Sequence, residues 1–230
     1  MKHYPGSVPA TPDYPQVRLQ FRTGGRQPNM EQHPLLSKTI ILASKSPRRI
    51  EILKQHGVDA IVRPTSTDET LPEGIGARDA VMYLALKKGM ACMEELQRAG
   101  EVPENSLILS ADTVVYKDEI LGKPTDRDDA IRMLQKIQNT SHFVATGCAL
   151  IDPNRGVKRV FCAVTEVFTT DYSEEDLERY IDTENPYDKA GAYAIQEGFG
   201  KFIDHIEGDR DTVIGLPFRY IKEESTKFES

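Results

Sequence analysis

Tryptophan is absent from the 230 residues, and cysteine occurs only three times. Cys92, Cys148 and Cys162 are odd in number, widely spaced and in no CxxC pair, which argues against both a disulfide framework and a structural zinc site. They read as buried thiols. No apolar run comes near the roughly 18 residues of a membrane span, and no charged-then-apolar leader opens the chain. The expectation is therefore an intracellular, cytoplasmic protein with no membrane partner. Positive charge is also short: 29 Lys and Arg against 36 Asp and Glu give a net charge of −7. That argues against a broad nucleic-acid surface and confines any anion site to a local pocket.

What is present divides into two parts. Residues 1–35 hold Pro5, Pro9, Pro12, Pro15, Pro28 and Pro34 with Gly24 and Gly25, few aliphatic residues and no periodicity, the pattern of a flexible extension. Arg18, Arg22 and Arg26 raise a transit peptide as the rival, which Asp13, the prolines and the lack of an amphipathic stripe oppose. Residues 36–230 read as one α/β domain. Thr39 to Ala43 is a short buried strand, Ser44 to Ser46 a turn, and a helix runs from Pro47 to Gly57 with Ser46 as its N-cap. A strand near Ala60 to Arg63 and a helix from about Arg78 to Arg98 follow. "SLILSADTVV" is a buried strand, and "YKDEILGKP" a hairpin. Asp128 to Gln138 is an amphipathic helix, "HFVATGCALID" and "RVFCAVTEVFTTD" are antiparallel strands, and Ser173 caps a helix through Tyr180. Strands around Ala192 to Ile195 and Lys201 to Ile206, with a helix or two, complete the chain.

Three stretches carry chemistry. "LASKSPRRIEIL", residues 42–53, puts Arg48 and Arg49 in a helix's first turn, where the dipole disfavours cations by a few tenths of a kcal/mol. A strand, a Ser-x-Ser turn and a helix start already make an anion site, and the arginines fit a bound phosphate. The plainer alternative pairs Arg48 with Glu51 and leaves Arg49 solvated. Asp112, in "LILSADTVV", is costly among strand aliphatics unless it meets a cation or water, or caps the local backbone with help from Thr113. Lys123 follows it by a hairpin's length, so both can reach the same end of the sheet. A carboxylate, a lysine and an arginine-loaded helix start are the parts needed for metal-assisted attack on a phosphoanhydride. In "NPYDKAGAYAIQEGFGKFI", Gly191, Gly198 and Gly200 allow close backbone approach to a ligand or simply serve turns, Asp188 can pair with Lys189, and Gln196 offers a donor and an acceptor to a base edge.

Together, "LASKSPRR", Asp68 and Glu69, "LALKKG", "SADTVV", "LGKP", "HFVATG", "TEVF", "DKAGAYAIQ" and "VIGLP" resemble the Maf family of nucleotide pyrophosphatases, in its order and spacing over about residues 38–222. The resemblance implies a mixed central sheet curved around a nucleotide-binding cleft with flanking helices, commonly a homodimer. It implies hydrolysis of a nucleoside triphosphate between the α and β phosphates, with a divalent cation, Mg²⁺ or Mn²⁺. Carried across by position, Asp112, Glu69 and Lys123 fall on catalytic positions. Ser44, Arg48, Arg49, Lys88 and Gln196 fall on substrate-binding ones. Asp112 either binds the metal or activates water, Glu69 is a second carboxylate for the metal, and Asp188 and Lys189 are architectural with one side chain near the cleft. Arg48 stands where a branch favouring methylated guanine nucleotides has Trp, which favours dTTP and UTP, with Gln196 matching the O4 and N3–H of a pyrimidine. The chain departs from the family in "NTSH" before His142, in Gly89 and in Thr212. His142 reads as structural, since the carboxylates can serve as base. Two rivals stand beside this reading: a nucleotide-binding regulator of cell division with little turnover, and a pyrophosphatase for deaminated or modified purine triphosphates.

Overall fold

The computed structural model describes residues 34–228. The expected extension, as far as residue 33, lies outside the described residues. Leu35, assigned to that extension by sequence, is buried in a 3₁₀ turn over Pro34–Ser37 and packs with Ile221 and Phe228.

Seven strands form one mixed sheet in the order β2, β1, β3, β5, β6, β7, with the short β4 paired to β3. β1 (Thr39–Leu42) lies parallel to β2 (Ala60–Val62) and to β3 (Ser106–Lys117). β3, β5 (Ser141–Asp152), β6 (Val157–Thr169) and β7 (Ile203–Glu207) then run antiparallel. The aliphatic runs of β1, β3 and β5 are buried on both faces, as a sheet with helical cover requires. Helices α1 (Pro47–Gln55), α2 (Ala77–Ala99), α3 (Arg127–Ile137), α4 (Glu174–Glu184), α5 (Arg210–Ile214) and α6 (Phe218–Thr226) complete the described residues.

Two features of the sheet create the site. The first is a gap along one edge of β3. β1 covers that edge up to Leu109, and β4 (Glu119–Leu121) covers it only from Val115 onward. Ser110 to Val114 have no strand partner on that side, and the gap opens at the carboxyl end of β1, where parallel strands bind ligands. The second is the approach of α2. A Cβ on Gly147 would lie 2.4 Å from the Val81 carbonyl, and one on Gly89 2.7 Å from Ser110 Oγ. Gly147 faces helix backbone and requires a residue without a side chain, whereas a side chain at Gly89 would have to displace the Ser110 and Ile151 side chains. Asp112 pairs in register with Gly147, so it lies directly under the helix.

Several expectations are revised. α4 continues past Tyr180 to Glu184, stopped by Asn185 in the left-handed region and by Pro186. Its capping box, Ser173 with Asp176, forms as expected. No strand forms at Ala192 to Ile195, because Gly191 and Ala192 both have positive φ, 67° and 61°. This buried segment is a 3₁₀ turn followed by irregular chain. Ser46 stands at the N-cap of α1 but makes no capping bond; its own N–H donates to Ser44 Oγ at 3.2 Å.

Candidate active site

A cleft of about 900 Å³ opens at the β3 gap, at the upper end of the range for ligand sites. Ser44, Arg48, Arg49, Glu69, Lys88, Asp112, Lys123 and Gln196, all eight expected site residues, line it. They come from the β1–α1 turn, the first turn of α1, the β2–α2 connection, α2, β3, the segment after β4 and the 188–196 segment.

Asp112 lies mid-strand rather than at a strand end, and its carboxylate is 13% exposed. The cation it meets is Lys88, whose Nζ is 2.6 Å from Asp112 Oδ1 and 2.8 Å from Glu69 Oε1. Helix geometry explains the reach: side chains lean toward the helix N-terminus, and Lys88 precedes Gly89, which packs against Ser110, two residues before Asp112. Glu69 is brought in by its neighbour. Asp68 Oδ1 accepts from the Thr70 N–H and hydroxyl at 3.0 and 2.6 Å, and its other oxygen lies 3.4 Å from Lys87 Nζ. Two consecutive acids thus meet two consecutive lysines. The Lys88 hydrogen bond and the charges of Lys88, Lys123 and Arg49 outweigh partial burial and hold the Glu69 carboxyl below its ordinary range.

The two arginines separate in role. Arg49 donates to the Gly215 carbonyl at 2.9 Å, to Ser44 Oγ at 3.2 Å and to Thr113 Oγ1 at 3.3 Å. A guanidinium has five N–H groups, so donors remain for a ligand. Gly215 holds φ 116° at the end of α5, a left-handed conformation suited to glycine. Thr113 is itself held by Thr146 Oγ1 at 2.9 Å, and Thr146 donates to the Thr212 carbonyl at 2.7 Å. Burial pulls the Arg49 pKa down, and the Asp112 charge opposes that shift. Arg48 does not pair with Glu51; its ion pairs are loose ones, with Asp188 at 3.7 Å and Glu197 at 3.9 Å. Both plain alternatives for these arginines fail: Glu51 accepts from Gln55 and not from Arg48, and Arg49 is held by three hydrogen bonds.

Lys123 and Gln196 are exposed cleft residues, whereas Lys189 is buried. Asp188 and Lys189 both line the cleft, one more than expected. Gly191, Gly198 and Gly200 do not line it. Their bare Cα positions accommodate Val115, Glu184 and the Ile195 carbonyl, so they serve protein packing. Thr113 and the Gly215 carbonyl went unassigned as holders of Arg49, because nothing local in the sequence links positions so far apart. His142 is buried, with Nε2 2.6 Å from the Tyr193 hydroxyl, and it does not line the cleft.

Residues 39–228 match the family described as Maf-like protein. The chain belongs to the Maf family. Among its relatives are proteins named dTTP/UTP pyrophosphatase from Acetivibrio thermocellus, 42% identical over 77% of this chain and 89% of that protein, and from Caldicellulosiruptor bescii, 42% identical over 78% and 89%. Another, from Dictyoglomus thermophilum, is 42% identical over 79% of this chain and 92% of the relative. The Maf match takes in all eight cleft residues and stops short of the residues before β1.

Proposed function

We propose that this chain hydrolyses nucleoside triphosphates, dTTP and UTP foremost, between the α and β phosphates to a nucleoside monophosphate and pyrophosphate. The observation that carries the reading is the Asp112–Lys88–Glu69 cluster, which lines the same cleft as the arginine-bearing start of α1. The names of the relatives support the same substrates.

The residues divide the work. Arg48, the remaining donors of Arg49, Lys88 and Lys123 bind phosphate oxygens, as planar and point cations do. Lys88 is bonded to both carboxylates, and a triphosphate offers it new acceptors, which releases Asp112 to take a proton from water. The water oxygen bonds to the α phosphorus, the bond to the bridging oxygen breaks, and pyrophosphate leaves with that oxygen. Gln196 faces the base with one donor and one acceptor.

A divalent cation fits this donor set. Asp112 Oδ1 and Glu69 Oε1 already share a single positive centre, the Lys88 ammonium, and both are hard oxygen ligands suited to Mg²⁺ or Mn²⁺. Among the described residues no three His, Cys, Asp or Glu side chains cluster as a metal site. Asp112 and Glu69 would therefore hold the ion together with substrate oxygens, as Mg²⁺ prefers. When bound, it supplies positive charge against the triphosphate. The homodimer and the cytoplasmic setting expected from family and composition belong to the same proposal.

The test is product analysis with a panel of nucleotides, with and without EDTA. dTMP and pyrophosphate from dTTP, lost with EDTA and restored by Mg²⁺, are expected. Asp112→Asn should lower kcat by on the order of 10² to 10⁴ with the fold retained. dTMP with two separate phosphates, or near-native turnover in Asp112→Asn, contradicts the assignment. Binding without turnover points instead to a regulator, and preference for deaminated purines to the other rival.

A further inference from the structure

Four charged side chains beside the cleft close into a ring of alternating sign. Lys189 Nζ donates to Asp188 Oδ1 at 2.9 Å and lies 3.2 Å from Glu197 Oε2. The other oxygens of the same two carboxylates face Arg48 NH1, Asp188 Oδ2 at 3.7 Å and Glu197 Oε1 at 3.9 Å. Two cations thus share two anions, Lys189 tightly and Arg48 loosely. The Lys189 side chain is only 8% exposed, and an ammonium so placed is costly unless partnered. Of its two partners Glu197 is the less exposed, 29% against 69% for Asp188.

Glu197 does not line the cleft, but the residues it holds do. Gln196 precedes it in a turn in which the Glu197 N–H donates to the Ala194 carbonyl at 3.3 Å and the Gly200 N–H donates to the Glu197 carbonyl at 2.8 Å. The chain beyond is wedged, since a Cβ on Gly198 would lie 2.6 Å from Glu184 Oε1 and one on Gly200 2.5 Å from the Ile195 carbonyl. The carboxylate of Glu197 therefore joins a tightly turned segment carrying Gln196 to buried Lys189 on one side and to Arg48, on α1, on the other.

We infer that Glu197 is a positioning residue for base selectivity. By holding Lys189 it fixes the turn that aims Gln196, and through Arg48 it keeps the base-reading wall in register with the phosphate-binding one. This rests on the reading of Gln196 as the residue that meets the base. Removing the charge disturbs recognition while leaving the Asp112 cluster, on other elements, intact.

The experiment compares the full wild-type chain with Glu197→Gln and Glu197→Asp, measuring kcat and KM for dTTP and dGTP with Mg²⁺ and the melting temperature of each. For Glu197→Gln the KM for dTTP is expected to rise about tenfold and the preference for dTTP over dGTP to fall by a similar factor, as for loss of a positioned polar contact, with kcat within about twofold. Glu197→Asp keeps the charge one methylene short and should fall between the two. Should the amide variant not fold, the aspartate variant carries the test alone. An unchanged dTTP-to-dGTP preference in the variants, whatever their melting temperature, overturns the inference. Absence of any base preference in the wild-type chain overturns the reading of Gln196 itself, and the inference with it.

Discussion

At the scale of single residues, environment decides what each ionisable group does. His142 and Asp112 show the two extremes. Asp112 meets a lysine within 2.6 Å and lines the cleft. His142 is sealed in the core, its Nδ1 has no hydrogen-bond partner, and burial, with the Lys117 charge adding to it, lowers its pKa from 6.5 to about 3. Between these values the unfolded chain binds a proton at this position that the folded chain refuses. Stability therefore falls as pH drops below 6.5 and is free of this effect above it. At pH 5 the cost is about 2 kcal/mol. Urea unfolding of wild type and His142→Gln at pH 7.5 and pH 5 should show a shallower acid loss in the variant. Equal losses would show that His142 does not govern the acid limb.

At the scale of elements, the start of α1 explains why two arginines occupy a turn with no acidic residue. They are held there for opposite reasons. Arg49 bridges α1, β3 and the end of α5 through three hydrogen bonds, whereas the nearest anions to Arg48 are more than 3.5 Å away. The two should respond differently to truncation. Arg49→Ala strands the Gly215 carbonyl and loosens Thr113, and is expected to cost about 2 kcal/mol, or roughly 4–8 °C in melting temperature. Arg48→Ala should leave the melting temperature nearly unchanged and weaken nucleotide binding by about tenfold or more. Calorimetry with α,β-methylene dTTP on both variants checks this. An Arg48 variant that binds as the parent does would remove Arg48 from the phosphate site.

On the scale of the whole molecule, the cleft is assembled from residues between Ala43 and Ile214. A ligand filling it bridges the β1–α1 turn, α1, α2, β3 and the 188–196 segment at once. Binding is thus linked to global unfolding, and a ligand at a hundred times its Kd stabilises by about 2.7 kcal/mol. For a chain of this size that is a rise of roughly 5–10 °C. α,β-Methylene dTTP with Mg²⁺ should produce it in a thermal scan, and the corresponding dGTP analogue at equal concentration should produce less. Equal shifts would show a cleft that reads phosphates and not the base. The net charge of −7 sharpens the point, since the cations in the cleft stand out against an acidic body.

How much of this was legible beforehand follows from the range of each interaction. The β1–turn–α1 unit, the β3–β4 hairpin, the β5–β6 pair and the Ser173 cap depend on neighbours a few residues apart, so propensity and periodicity express them directly. The eight cleft residues were found because their side chains are chemically conspicuous where they stand and recur in a family pattern. The fate of residues 192–195 was hidden, because apolar residues suit a buried irregular segment as well as a strand, and Ala192 shows no sign of its positive φ. Only the tertiary structure set Lys88 between Asp112 and Glu69, Arg49 against Gly215, and Glu197 beside Lys189 and Arg48. The sequence determined which charges this protein carries. Their pairing was decided by sheet register and by the approach of α2 over Gly147, because a charge selects its partner by distance in space and not by separation along the chain.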